Sequence, residues 1–381
     1  MTPTFPAELV RDDLRDFTGY SSARTSHSGP PARIWLNANE AAGPSTADPG
    51  GTHRRYPDPQ PPALVAALAS LYGVPEETVV VGRGSDEAIE LLVRATCRPG
   101  ADAVVVAPPT FGMYAVSARL HGVPVVEVPQ QEARDRDGAP CWQVDVDALV
   151  AAARDAGARL VFVASPGNPT GATVPQPGLV RLATALARQA VVVVDEAYQE
   201  FASGPGAVPL LADHPNLAVL RTLSKAHGLA AARVGTCLAH PDLAAVLRRV
   251  QAPYPLPGPV TALALEALRP EALAATAERV EQTVRERTRL ARALAAEPTV
   301  TAVYPGQANF VLVRSTAPDA LLTRLRAAGI VVRDLRHQPG LHDALRITVG
   351  SPDEVDAVAA TLRSPTDDPA PVTDPHPVRT P

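Results

Sequence analysis

The chain has 381 residues, 46% of them hydrophobic and 20% charged, with a formal net charge of -5. This is a globular composition, long enough for two lobes over a shared core. Acids and bases are mixed along it, so it carries no basic footprint for nucleic acid, and its longest apolar runs, such as Val191 to Val194, are strand-sized and too short for a bilayer.

Met1 to Val10 has no basic start leading into an apolar stretch, so no signal peptide is expected. Up to Tyr56 the chain is rich in Pro, Gly and Ser and reads as an arm and entry loop. Short Val/Ala-rich runs follow at Val79 to Val81, Ala103 to Ala107, Val125 to Val128, Leu160 to Ala164, Val191 to Asp195, Ala218 to Arg221 and Val234 to Leu238. Several are apolar on both parities, as in strands covered on both faces. Helical spacing lies between them, for example at Asp86 to Cys97 and Gly178 to Gln189, which predicts an α/β sheet, mostly parallel and seven-stranded. Thr261 to Ala295 reads as one or two long helices. A strand (Phe310 to Arg314), a helix (Pro318 to Ala328), two strands (Ile330 to Arg333, Leu345 to Val349) and a helix from Asp353 then make a smaller α+β unit. The expected layout is residues 1–45 as an N-terminal arm with part of the small domain, 46–257 as the large domain and 258–363 as the small C-terminal domain. Residues 364–381 form a Pro-rich tail expected to be disordered. Cys97, Cys141 and Cys237 lie far apart without metal-ligand spacing, so inert buried thiols, no metal and a reducing cytoplasm are expected.

Of the 35 Lys and Arg residues, one, Lys225, is lysine. Arginine replaces a surface lysine in almost every role, but its guanidinium stays protonated and is no amine nucleophile. A single lysine in an arginine-rich chain is therefore a candidate for covalent chemistry with a carbonyl. Pyridoxal 5′-phosphate (PLP) uses a lysine in this way, with an acid at the pyridine nitrogen, donors for the phenolate and phosphate, and an aromatic face. Asp195 closes an apolar strand, at the edge where open α/β sheets bind ligands; its alternative role is a helix cap. Asn168, in the turn "SPGNPTG", can face O3′ or serve the loop alone. Ser85 and Asp86 begin a helix, where free N–H groups favour a phosphate. Thr222 and Ser224 flank Lys225, and Arg233 is a candidate phosphate clamp. Phe111, in "PTFGMY", can stack on the ring or belong to the core.

In this order, "PPTFGMY", "SPGNPTG", "VDEAYQEF" and "RTLSKAHGLAAAR" resemble fold-type I PLP-dependent aminotransferases. More closely, "LNANE", "RYPDPQP", "GSDEAIELLVRA", "APYPL" and "LRITVGS" resemble the histidinol-phosphate aminotransferases, over residues 10–362. The resemblance implies a Schiff base at Lys225, Asp195 at the ring nitrogen, and Tyr198 and Asn168 at O3′. Ser85, Asp86, Ser224 and Arg233 would hold the phosphate with Tyr56 of a neighbouring subunit, hence a homodimer. Tyr20, Asn39, Arg333 and Arg346 would bind substrate, the arginines taking glutamate's carboxylate in one half-reaction and the phosphate in the other. The implied reaction is ping-pong transamination between glutamate and imidazole-acetol phosphate in histidine biosynthesis, with Lys225 as the base. The alternatives are an aromatic or specialised-pathway aminotransferase of the subgroup, a phospho-amino-acid decarboxylase, or a non-enzymatic PLP-fold binding protein. Three departures from the family pattern stand out: His227 where relatives commonly carry Phe, "AAAR" for "AGLR" before Arg233, and Ala41-Ala42-Gly43 after "LNANE".

Overall fold

A computed structural model describes residues 4–21 and 33–363; residues 1–3 and 22–32, with the tail expected to be disordered at 364–381, lie outside the described residues. Each of the seven Val/Ala-rich runs forms a strand of one sheet. In chain order the strands are β1 (Val79–Arg83), β2 (Ala103–Val106) and β3 (Val125–Glu127), then the separate hairpin of β4 (Gln131–Arg134) and β5 (Pro140–Gln143). β6 (Ala158–Ala164), β7 (Val191–Asp195), β8 (Leu217–Thr222) and β9 (Val234–Ala239) complete the sheet. Its order is β1-β9-β8-β7-β6-β2-β3, with β9 antiparallel to both neighbours and the other pairs parallel.

The helices in this part are α1 (Asp12–Arg15), α2 (Pro62–Tyr72), α3 (Gly84–Thr96), α4 (Met113–Leu120), α5 (Val146–Asp155), α6 (Gln176–Ala185) and α7 (Pro241–Val250). The strand pleat divides the core. Val192 and Val194 of β7 pack with Leu68 of α2, Leu149 of α5 and Leu182 of α6. Val191 and Val193 pack on the other face with Leu92 of α3, Tyr114 of α4 and Leu247 of α7.

The long helical stretch is two helices, α8 (Gly258–Ala267) and α9 (Pro270–Ala295), divided before Pro270, which opens α9 where its missing N–H is harmless. Ala264 of α8 joins the core of the large sheet, while Leu290 and Leu294 of α9 turn to the smaller one. That sheet has the order β10-β11-β13-β12, from β10 (Val300–Tyr304), β11 (Phe310–Ser315), β12 (Arg333–Asp334) and β13 (Ala344–Thr348), all antiparallel. α10 (Pro318–Ala327) and α11 (Pro352–Arg363) complete the chain.

The expected strand from Ile330 to Arg333 shrinks to its end, because the Ile330 N–H donates to Leu325 at 2.8 Å and closes α10 after Gly329. β4 and β5 lack an apolar alternation that would announce them. Cys97 and Cys237 are buried, with burial pushing their thiols up to about 12, whereas Cys141 on β5 is only half-buried, which corrects the expectation for that residue. Among the described residues no helix is long and apolar enough to cross a membrane.

Candidate active site

The parallel strands β2, β6, β7 and β8 end at one edge of the large sheet, β1 also ends there, and the antiparallel β9 begins there. A cavity of about 270 Å³ opens at this edge. Lys225 lies three residues beyond the last residue of β8 and lines the cavity, with Nζ 5.6 Å from the Tyr198 ring centroid. Burial, then the guanidinium of Arg346, holds the amine below its ordinary pKa, against the opposing charge of Asp86. The base is thus nearer to neutrality than a surface lysine.

Asp195 ends β7 and is buried. It accepts the Tyr114 hydroxyl on Oδ2 at 2.7 Å and the Ala197 N–H on Oδ1 at 3.1 Å. Burial raises its pKa despite the Tyr114 bond. Its hydrogen-bond partners in the described structure are neutral, so a protonated ring nitrogen at the cavity suits it. Tyr114, absent from the sequence expectations, is fully buried beside it; its position three residues after Phe111 at a helix start is the one local signal. Phe111 lines the cavity, edge to face with Tyr114 at 5.7 Å.

Asn168, in the loop after β6, accepts a hydrogen bond on Oδ1 from Arg346, leaving its amide N–H groups to donate. Tyr198 is buried against Phe310 at 5.3 Å; burial pushes its hydroxyl up to about 12 while Arg346 pulls the other way. It therefore remains a donor over the working pH range. Arg346 on β13 lies 5.1 Å over the Phe310 ring and lines the cavity. Arg333 is its direct partner on β12, but it is exposed and outside the cavity lining.

The phosphate candidates meet at the start of α3. Arg233 donates to Asp86 at 2.9 Å and lies 3.4 Å from the Ser224 hydroxyl, and Thr222 Oγ1 lies 2.9 Å from that hydroxyl. A carboxylate cannot hold a phosphate dianion, so the Asp86 side chain serves by fixing Arg233. The contribution of Asp86 and Ser85 to a phosphate is their backbone N–H groups in the first helical turn. This junction is close-packed: a Cβ on Gly235 would lie 2.2 Å from the Ser85 nitrogen. One amine, one buried carboxylate, neutral phenolate donors and a cationic helix start are the donor set that PLP requires.

A family model for aminotransferases of class I and II matches residues 20–362. The histidinol-phosphate aminotransferase of Stenotrophomonas maltophilia is 54% identical over 354 residues, covering 93% of this chain and 95% of that protein. The chain belongs to the class I and II aminotransferases, among the histidinol-phosphate aminotransferases. The structure of the Sinorhizobium meliloti histidinol-phosphate aminotransferase in complex with pyridoxal-5′-phosphate is similar to this aminotransferase with a TM-score of 0.71 and 29% identity, covering 85% of this chain and 88% of that one. An L-threonine-O-3-phosphate decarboxylase from Porphyromonas gingivalis has a TM-score of 0.68 at 21% identity, covering 82% of this chain and 90% of that one, a likeness of fold alone.

Four of the residues expected at the site of this aminotransferase lie away from the cavity lining: Arg333, Tyr20, Asn39 and Tyr56. Tyr20 is 70% exposed and lines a separate groove with Asp58 and Arg249. Asn39 is exposed with φ 54°, and Tyr56 stacks on Tyr254 at 4.7 Å. His227 is buried outside the cavity lining; burial lowers its pKa, Glu200 opposes this, and Arg221 and Arg279 add to it.

Proposed function

We propose that this aminotransferase uses PLP bonded to Lys225 to exchange an amino group between L-histidinol phosphate and 2-oxoglutarate in L-histidine biosynthesis. The observation that carries this reading is the cavity that puts the chain's one lysine beside Asp195, Asn168, Tyr198 and Arg346, in a chain 54% identical to a histidinol-phosphate aminotransferase. When bound, PLP supplies an electron sink for the pair left at the substrate α-carbon as its proton departs.

The residues divide the remaining work. Lys225 Nζ would take the α-proton and later give it up again, because its lowered pKa leaves it competent as both base and acid. Asp195 would hold a proton on the ring nitrogen. Tyr198 and Asn168 would donate to O3′. Ser85, Asp86, Thr222, Ser224 and Arg233 would hold the phosphate, with Tyr56 of the partner subunit, and Phe111 would offer its face to the ring. Arg346 and Arg333 take the substrate's anionic groups, with Asn39 and Tyr20 completing the pocket. A homodimer accounts for Tyr20 and Tyr56 lying away from their own cavity, and Ile34 and Leu36 of the same segment are exposed apolar residues that a partner would cover.

The test is the visible spectrum of the protein purified with PLP, titrated separately with L-histidinol phosphate, L-glutamate and L-phenylalanine. Conversion of the absorbance to that of the pyridoxamine form by the first two, and only weakly by phenylalanine, is expected. Conversion by phenylalanine and not by histidinol phosphate would leave the cofactor reading and remove the named substrate.

A further inference from the structure

Tyr114 joins the two residues proposed to meet the cofactor ring. Its hydroxyl lies 2.7 Å from Asp195 Oδ2, its ring stacks on Phe162 at 4.7 Å and 4°, and Phe111 meets it edge to face. It comes from α4, in the layer that covers this face of the sheet, and is fully buried. Phenylalanine would fill the same space and make the same ring contacts, so packing alone leaves the hydroxyl unexplained. Burying that hydroxyl requires a partner, and the partner is Asp195. The Ala197 N–H holds the other oxygen, so the rotation of the carboxylate is set at both ends.

The chemistry of the donor is informative. An arginine or lysine here would orient Asp195 but also neutralise the charge it offers to the cavity. A tyrosine hydroxyl orients and stabilises the carboxylate while leaving its charge in place.

We propose that Tyr114 is a positioning residue for the cofactor ring, fixing the Asp195 carboxylate that faces the ring nitrogen and the Phe111 side chain that lies on the ring plane. The proposal rests on the reading of the cavity as a PLP site. Without the hydroxyl, the Asp195 carboxylate would be more basic, and a proton shared with a ring nitrogen would shift toward it.

The experiment compares holoenzyme and its Tyr114→Phe variant, each reconstituted with PLP labelled with nitrogen-15 in the ring. Ring-nitrogen NMR, circular dichroism and the kinetics of both half-reactions are recorded. The variant should keep the wild-type circular dichroism while its ring-nitrogen resonance moves toward the deprotonated position. Loss of a hydrogen bond to a charged group should lower kcat about tenfold, with KM for the amino donor changed by less than about twofold. Tyr114→Met, which drops ring and hydroxyl together, should show the same resonance shift and supplies the answer if the Phe variant misfolds. A wild-type resonance and kcat in a folded variant would overturn the role of Tyr114. Wild-type protein that fails to retain PLP would instead overturn the reading of the cavity.

Discussion

Arg221 and Glu196 form a buried ion pair at 2.9 Å, directly behind two residues of the cavity, Thr222 and Asp195. Thr222 and Asp195 line the cavity, while their chain neighbours Arg221 and Glu196 pair behind it. Arg221 also donates to Glu200 at 2.8 Å and lies 4.9 Å over the Tyr72 ring. The arrangement ties the ends of β7 and β8, which carry the acid and lead to the lysine, to one another. Arg221→Met leaves Glu196 charged and uncompensated, so stability to urea should fall by about 3–5 kcal/mol. A loss under about 1 kcal/mol would show that the pair is dispensable.

Gly235 is the second residue of the antiparallel strand β9, where it crosses the start of α3. A Cβ there would also lie 2.2 Å from the Gly84 carbonyl carbon, and neither neighbour is the far end of a flexible side chain. Gly235→Ala must displace the helix start proposed to hold the phosphate. Stability should fall by roughly 1–3 kcal/mol, as for overpacking, and PLP affinity should fall with it. Equilibrium dialysis with PLP and a thermal melt measure the two effects, and unchanged PLP affinity would remove this helix start from the phosphate site.

Because Lys225 is the chain's one lysine, its titration can be read directly in the cofactor-free protein by acylation followed by peptide mapping. Acylation requires the neutral amine. A pKa held below the ordinary 10.5 by burial and by Arg346 means that the proton leaves at lower pH, so labelling rises earlier than for a free lysine. Arg346→Met removes the largest charge effect and should move the curve back up in pH. No movement would mean that burial alone sets the amine.

Arg333 and Arg346 are directly opposed on β12 and β13. Like charges in that position repel, and an anionic substrate would relieve them. Arg333→Met should raise thermal stability slightly, by about 0.2–1 kcal/mol in the free protein. The same change should raise KM for glutamate and histidinol phosphate by roughly tenfold, as a lost charged hydrogen bond predicts. A KM unchanged for both substrates would remove Arg333 from the site.

His227 has a buried Nδ1 without a hydrogen-bond partner among the described residues. His227→Phe exchanges it for carbon at a position outside the cavity lining, so stability should rise by about 1 kcal/mol with kcat within about twofold of wild type. A loss of stability in the melt would show that the ring nitrogen is satisfied or that the larger ring does not fit.

The strands and the chemistry they deliver were legible in the chain because both are local. The run from Val191 to Val194 encodes a strand covered on two faces, and Asp195 at its end follows from the same pattern. Lys225 stood out because the rest of the chain contains no other amine side chain. The contact of Tyr114 with Asp195, 81 positions apart, left no periodic trace, since each residue satisfies its own element's pattern without the other. The hairpin of β4 and β5 was silent for a related reason: its strands are short and lack the apolar alternation that marks a half-buried strand. Asn39 and Tyr56 stand in recognisable motifs and Tyr20 follows from the resemblance, but their positions outside the cavity lining depend on how the entry segment crosses the surface. The strands of the large sheet, the single lysine and the family motifs are thus written in local patterns, whereas the pairing of distant side chains depends on packing between elements and not on the spacing within any one of them.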